Sequence, residues 1–360
     1  MTNKKRVLVV DDSAFMRSII TRLIEKDDRL EVLDVAKDGV EAVEKACRLK
    51  PDVITMDIEM PNKNGLEALA EIMEKCPTRV MMVSSLTKEG AQETMRALEL
   101  GAVDFFPKSM DDNEKSIFAK GEILQEKIFN VANISNISKV LTPESRVSES
   151  DVQVQAQHQP NPQSGSLLRF KQAEIAFIGI STGGPKALHS IMPNFSETLR
   201  VPLVIAQHMP PNFTAAMANR LNQLCKLTVL EAQDGMKLEP NHIYIAPGGS
   251  QCEIERHLQT KTFKIHHDEG SALYKPSVEV LAKSIHQACH GNVLAVMMTG
   301  MGNDGIIGFE ALKKSGAYII AQDEATCVVY GMPKAVVQKG LANEILPLSQ
   351  IPHTLDRLLN

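Results

Sequence analysis

The sequence predicts an α/β protein made of two doubly wound parallel-sheet domains joined by a flexible linker, the second domain carrying an inserted β-hairpin. Three observations predict it. Residues 6 to about 128 alternate short apolar runs with stretches of 3.6-residue periodicity. Residues from about 131 to 168 are rich in Ser, Gln, Asn and Pro and nearly free of large apolar side chains. A second alternating series then follows. Apolar runs each followed by a helical pattern are βα units, and βα units in series build parallel sheets with helices on both faces. The expected boundaries are 1–128 and 169–360 for the domains and 129–168 for the linker.

In the first series the strands are "RVLVV", "LEVLDVA", "DVITM", "RVMMVSS" and "VDFF". In the first helix Met16, Ile19, Ile20, Leu23 and Ile24 form one apolar stripe. The polar stretch "SNISKVLTPESRVSESDVQVQAQHQPNPQSGS" cannot bury enough surface to offset its ordering entropy, which makes it a linker. In the second series strands are expected at "EIAFIGIS", "PLVIAQH", "LTVLEA", "IYIAP", "FKIHH", "VLAVMMTG" and "AYIIAQD". Helices are expected near 184–193, 212–224, 277–290, 305–315 and 333–339. The segments "IYIAPGGSQCEIE" and "KTFKIHHDE" have no helix between them and read as the hairpin.

The net charge is −5, with Lys and Arg dispersed among acids and no basic recognition helix, so the chain offers no face for nucleic acid. The six cysteines lie far apart without a CxxC pair and read as reduced thiols, mostly core fillers. The first apolar run meets two aspartates after four residues, which excludes a signal peptide. No run approaches the roughly 20 apolar residues of a membrane span. A soluble cytoplasmic protein is expected, and the N-x-S/T matches at Asn133, Asn136, Asn194 and Asn212 are then chance.

Parallel sheets gather their chemistry beyond the carboxyl ends of their strands. In the first domain Asp11 and Asp12 end the first strand, Asp57 the third, and Ser84 the fourth, while Lys108 follows the fifth. Three carboxylates at one rim repel unless a hard cation joins them, and Mg2+ suits oxygen ligands. Asp57 is then placed to accept a phosphoryl group, with the metal and Lys108 neutralising the charge in transfer. Helix capping by Asp12 or Ser13 is the plainer alternative for those positions. "VLVVDDS", "DVITMDIEMPNKNGLEAL", "VMMVSS" and "GAVDFFPKS" resemble a response-regulator receiver domain, flavodoxin-like in fold, across residues 4–125. The resemblance implies Asp57 as phosphorylation site, Asp11 and Asp12 as Mg2+ acids, Ser84 as switch hydroxyl, Phe105 as switch aromatic and Lys108 as phosphate-sensing lysine. A histidine kinase is the implied phosphoryl donor. Pro107 precedes Lys108 and Ser109 follows it, a departure from the lysine-proline order usual in receivers.

In the second domain Ser181 stands in "IGISTGGP", a strand running into a glycine-rich turn, and three motifs compete for it. "GISTGGPK" nearly spells a phosphate-cradling loop, but Pro185 stands where that motif needs lysine. Gly300, Gly302 and Gly305 fit G-x-G-x-x-G with Asp323 after the next strand, a dinucleotide fingerprint, yet Asp304 inside the loop would repel a pyrophosphate. The third reading makes Ser181 a nucleophile. His208 ends "VIAQH" and Asp304 follows "VMMTG", so serine, histidine and acid fall at the ends of three strands that one parallel sheet brings to one rim. "HQACH", His286 to His290, has metal-ligand spacing but no HExxH glutamate, and reads as a helix surface.

"IGISTGGPKAL", "VIAQHMPPNFT", "DGMKLEPNHIYIAPGG", "YKPSVEVL", "MTGMGNDG" and "AQDEATCVVYGMPKAVV" resemble the catalytic domain of chemotaxis protein-glutamate methylesterases over most of residues 174–350. The resemblance implies a Rossmann-like α/β esterase domain without a cofactor. Ser181 would be nucleophile, His208 general base, Asp304 its orienter, Met301 an oxyanion donor and Thr182 an aid to positioning His208. The implied substrates are methylated cytoplasmic helices of chemoreceptors, with deamidation of receptor glutamines alongside. The implied assembly is a monomer that does not insert in membranes. A phosphorylation-regulated nucleotide-binding module without esterase activity is the competing class.

Overall fold

The computed structural model describes residues 4–108, 121–134, 173–267 and 272–360. The first sheet comprises β1 (Lys5–Val10), β2 (Leu30–Ala36), β3 (Val53–Asp57), β4 (Val80–Ser84) and β5 (Asp104–Pro107), in the order β2-β1-β3-β4-β5. Every pairing is parallel. Helices α1 (Ala14–Ile24), α2 (Gly39–Leu49), α3 (Gly65–Lys75), α4 (Lys88–Glu99) and α5 (Gly121–Ala132) cover it. This is the flavodoxin-like order, and its switch point lies between β1 and β3, where Asp11 and Asp57 emerge. β3, β4 and β5 are buried along their whole length, so they read in sequence as continuous apolar runs rather than alternating ones.

Local signals set the helix starts. Ser13 caps α1, Asp38 accepts the N–H groups of Val40 and Glu41 to start α2, and Asn64 with Glu67 forms a capping box on α3. α5 continues past residue 128 to Ala132 because Ile128, Val131 and Ala132 are buried against the sheet. Residues 135–168 of the expected linker lie outside the described residues.

The second sheet comprises β6 (Ile175–Ile180), β7 (Leu203–Gln207), β8 (Thr228–Glu231), β9 (His242–Ile245), β12 (Val293–Met297), β13 (Tyr318–Gln322) and β14 (Glu344–Leu346). Its order is β14-β13-β12-β6-β7-β9-β8, all parallel. The hairpin is β10 (Gln251–His257) with β11 (Thr260–His266), antiparallel and outside the main sheet, as expected. Helices α6 (Gly184–Ile191), α7 (Phe213–Leu224), α8 (Val278–Cys289), α9 (Ile306–Lys314) and α10 (Met332–Gln338) fall where the periodicity predicts them. β14 and α11 (Ile351–Leu359) lie outside the expected elements, although Ile351, Leu355, Leu358 and Leu359 make a buried helical stripe. The chain enters this sheet at β6, builds outward through β7, then returns to β12 on the other side of β6. The switch point therefore separates the ends of β6 and β12.

The two sheets share one apolar body. Met95 and Phe105 of the first domain belong to the same buried cluster as Met209, Phe213 and Met217 of the second. Phe105 and Phe213 stack at 4.7 Å between centroids, and the Asn212 side-chain amide donates to the Leu86 carbonyl at 3.0 Å. Arg220 on α7 pairs with Glu99 on α4, and His189 on α6 lies 3.2 Å from the same carboxylate.

The cysteine expectation is corrected in part. Cys47 in α2 and Cys76 at the end of α3 are joined by a disulfide, their Cα atoms 5.3 Å apart. Two helices packed side by side on one face of the sheet bring together residues that sequence spacing kept apart. Cys252 and Cys289 are free and buried, as core fillers should be. Among the described residues no helix is long and apolar enough to cross a membrane.

Candidate active site

Ser181 follows β6 and is only 8% exposed. Its backbone N–H donates to the Thr299 carbonyl at 2.9 Å, which ties the Ser181 turn to the loop after β12. Gly183 has φ +74, a left-handed conformation open to glycine, and a Cβ there would lie 2.5 Å from Val328. The turn is supported from beneath by two buried polar residues. Gln207, last residue of β7, donates its amide to the carbonyls of Ser181 (3.0 Å) and His208 (3.2 Å). Thr299 donates its hydroxyl to the Thr182 carbonyl at 3.0 Å and accepts the N–H groups of Val328 and Val329.

The three residues that the sequence places at strand ends meet. His208 Nδ1 is 2.9 Å from Ser181 Oγ, and its Nε2 is 2.8 Å from Asp304 Oδ2. Asp304 sits at the N-terminus of α8, where Oδ2 accepts the N–H of Val278 at 2.7 Å. Its Oδ1 accepts the Ser277 hydroxyl at 3.0 Å and the Glu279 N–H at 3.2 Å. Burial pushes the Asp304 carboxyl up, but the His208 bond and charge, the Val278 N–H and the Ser277 hydroxyl outweigh it and hold the group below the ordinary carboxylate value. Asp304 is therefore an ionised acceptor placed against the positive end of a helix. An acceptor opposite Nε2 puts the imidazole proton on Nε2 and leaves the Nδ1 lone pair facing the Ser181 hydroxyl, which is the tautomer a general base needs.

Thr182 contributes differently from expectation. Its hydroxyl is buried without a hydrogen-bond partner, so no bond links it to His208; the hold on that turn comes from Gln207 and Thr299. Met301 follows Gly300, whose Cα stands so close to Ser181 that a Cβ on it would lie 2.8 Å from the serine Cβ. Among the described residues the Met301 N–H has no acceptor. Tyr274, which sequence reasoning passed over, lies flat on His208 with ring centroids 4.1 Å apart. The one sequence signal for these supports is polarity inside apolar runs: Gln207 ends "VIAQ" and Thr299 follows "VMM".

The competing motifs have other occupations. Asp304 fills the glycine-rich loop with a carboxylate bound to His208, and Asp323 accepts the Thr326 N–H at 3.0 Å in a short helical turn. The Lys186 ammonium nitrogen is buried without a hydrogen-bond partner, and burial pushes it down to about 8. His286 bonds Ser315 through Nε2 at 2.8 Å, on the helix surface.

In the first domain, carboxylate oxygens of Asp11, Asp12 and Asp57 lie within 4.8 Å of one another. Lys108 Nζ is 2.5 Å from Asp57 Oδ2 and 3.0 Å from Asp11 Oδ2. Burial raises the Asp57 carboxyl to about 6; Lys108 opposes the shift and Asp11 adds to it. The donor set is all hard oxygen, gathered at one rim with Asp11 Oδ2 buried beside a single ammonium, so these residues fit a small divalent cation such as Mg2+. Ser84 Oγ accepts the Thr94 hydroxyl at 2.9 Å, and Phe105 faces the second domain. Among the described residues the one cis peptide bond is Lys275–Pro276, so the bond into Pro107 is trans.

Comparison with known proteins gives the same division of labour. Residues 176–355 match the family model for CheB methylesterase, and residues 7–120 that for the response regulator receiver domain. Proteins named protein-glutamate methylesterase/protein-glutamine glutaminase are similar over nearly their full length. That of Colwellia psychrerythraea is 42% identical over 96% of both chains, and that of Thermotoga maritima is 42% identical over 98% of both. The crystal structure of the Thermotoga maritima CheB methylesterase catalytic domain aligns with 52% of this chain and 98% of its own, at 38% identity and a TM-score of 0.50.

Proposed function

This chain belongs to the CheB methylesterase family and carries a receiver domain ahead of the esterase domain; from that premise we propose that it hydrolyses glutamate methyl esters on chemoreceptors under control of phosphorylation. It also deamidates receptor glutamines by the same acyl-transfer route, as its relatives' names state of them. The observation that carries the reading is the continuous relay from Ser181 Oγ through His208 to Asp304.

Ser181 Oγ attacks the ester carbonyl while His208 Nδ1 takes its proton, and Asp304 balances the imidazolium that forms. The carbonyl oxygen gains negative charge and accepts a hydrogen bond that the free N–H of Met301 donates, a contribution of about 2.7 to 4 kcal/mol for a donor of this kind. The imidazolium then gives that proton to the leaving oxygen as the C–O bond breaks and methanol departs, or to the leaving nitrogen of glutamine, which departs as ammonia. Water, activated by the same nitrogen, releases glutamate from the acyl-enzyme.

In the receiver, Asp11, Asp12 and Asp57 would hold Mg2+, which neutralises phosphoryl oxygens when bound. Asp57 is the acceptor, with a histidine kinase as donor, and Lys108 sits ready to pair with the phosphoryl group. Ser84 and Phe105 are the switch pair. Phe105 stacks on Phe213, five residues after His208 in sequence, so displacement of that ring loosens the face of α6 and α7 that borders the site. The functional division follows: residues 1–128 sense, 129–168 tether and 169–360 catalyse, as a cytoplasmic monomer.

The test is methanol release from methylated receptor. Ser181→Ala should abolish it while leaving the thermal melt unchanged. Wild-type turnover by that variant, or nucleotide binding in titration without methanol release by the wild type, would refute the esterase assignment.

A further inference from the structure

The imidazole of His208 has two edges and two faces. Ser181 Oγ and Asp304 Oδ2 take the edges. Tyr274 covers one face, its ring 6° from parallel with the imidazole and 4.1 Å away between centroids. Two hydrogen bonds at the edges of a histidine leave rotation of the ring weakly opposed, because terminal torsions into planar groups have broad minima. A flat ring on the face removes that freedom.

Tyr274 is itself anchored. Gln251, fully buried in β10, donates Nε2 to the Tyr274 carbonyl at 2.9 Å, and its Oε1 accepts the Ser277 N–H at 3.0 Å. Ser277 caps α8 and gives its hydroxyl to Asp304. One buried amide on the inserted hairpin therefore fixes both the ring lying on His208 and the helix end that holds its acid. The titratable groups facing His208 are Asp304, from the loop after β12, and Tyr274, from the segment entering α8. Among the described residues the Tyr274 hydroxyl makes no hydrogen bond, so the ring face rather than the phenol does the holding.

We propose that Tyr274 is a positioning residue of the esterase reaction, whose ring holds the His208 imidazole in the plane joining Ser181 to Asp304. The inference rests on the esterase reading for its kinetic consequence but not for its structural one. The experiment compares full-length wild type, Tyr274→Phe and Tyr274→Leu in two ways: kcat and KM for methanol release, and the downfield proton resonance of the His208 Nε2–H bonded to Asp304. That resonance is assigned by its absence in His208→Gln.

Tyr274→Phe should keep kcat within about twofold and retain the resonance. Tyr274→Leu should lose about 10- to 100-fold in kcat with KM little changed, the size of effect that slight misplacement of a catalytic group produces, and its resonance should broaden or vanish. If Tyr274→Leu fails to fold, Tyr274→Met, of similar reach without a planar face, takes its place with the same expectations. A folded variant without the ring that keeps both wild-type kcat and the resonance overturns the proposal, as does a Tyr274→Phe loss equal to that of Tyr274→Leu. If wild type releases no methanol, the esterase reading fails while the resonance comparison still decides the role of Tyr274.

Discussion

At Asp304 one carboxylate answers to four donors: a histidine, a hydroxyl and two backbone amides. Replacing it with Asn preserves shape but supplies an amide that can donate to His208, which shifts the imidazole to the tautomer unable to accept the Ser181 proton. Asp304→Asn should therefore lower kcat by about four orders of magnitude, as the analogous change does in a serine protease, with a modestly lower melt because the amide nitrogen cannot accept the Val278 N–H. Stopped methanol assays on the purified variant check this.

Asp57 gives a second prediction at this scale. Its folded value of about 6 lies above the ordinary 3.8, so the folded state holds the proton more tightly. Its contribution to stability is present below the ordinary value and is lost as pH rises toward about 6. A divalent cation favours the charged form and binds only the folded site, which reverses the loss. Adding Mg2+ at pH 7 should raise the melting temperature of the wild type and leave that of Asp57→Asn nearly unchanged, as calorimetry can measure.

At the scale of elements, the catalytic rim is made where β6, β7 and β12 end, and its spacing depends on how closely the turns approach. Gly300 lies tight against Ser181: an added Cβ would stand 2.4 Å from Met332 Sδ and 2.8 Å from the Ser181 Cβ. Methionine can swing away, but the serine Cβ is fixed by its turn. Gly300→Ala should cut kcat at least about 100-fold while the circular dichroism spectrum is retained, because a shift on the order of 1 Å in the nucleophile spoils the attack geometry. The hairpin shows how an element acts at a distance: Gln251 on β10 holds the start of α8, and through it Asp304.

For the whole molecule, the decisive feature is the seam between α4 of the receiver and α6 and α7 of the esterase domain. Its centre is the Phe105–Phe213 stack, and its rim is Glu99 with Arg220 and His189. An exposed ion pair contributes little by itself, about 0 to 1 kcal/mol, whereas like charges set opposite one another repel. Arg220→Glu should therefore raise the basal esterase rate of the unphosphorylated protein, and the double exchange Glu99→Arg with Arg220→Glu should bring it back. Deleting residues 1–165 should raise the basal rate further, and an unchanged rate in both variants would argue against control through this seam.

The features legible before folding are periodic and local. The βα alternation predicts both parallel sheets, Ser13 reads as a cap for the helix it does cap, and Ser181, His208, Asp304, Asp11 and Asp57 stand out because chemistry in such sheets collects at strand ends. The short final strand and α11 lie outside that pattern, although α11 carries an apolar stripe of its own. The remaining features rest on contacts between distant segments. The Cys47–Cys76 link, the Tyr274 ring on His208, the Gln251 bridge and the Phe105–Phe213 stack each join residues whose local sequence carries no mark of the partner. Backbone preference and apolar period are properties of neighbouring residues; which side chains face one another across a rim or a seam is settled only when the sheets twist and pack.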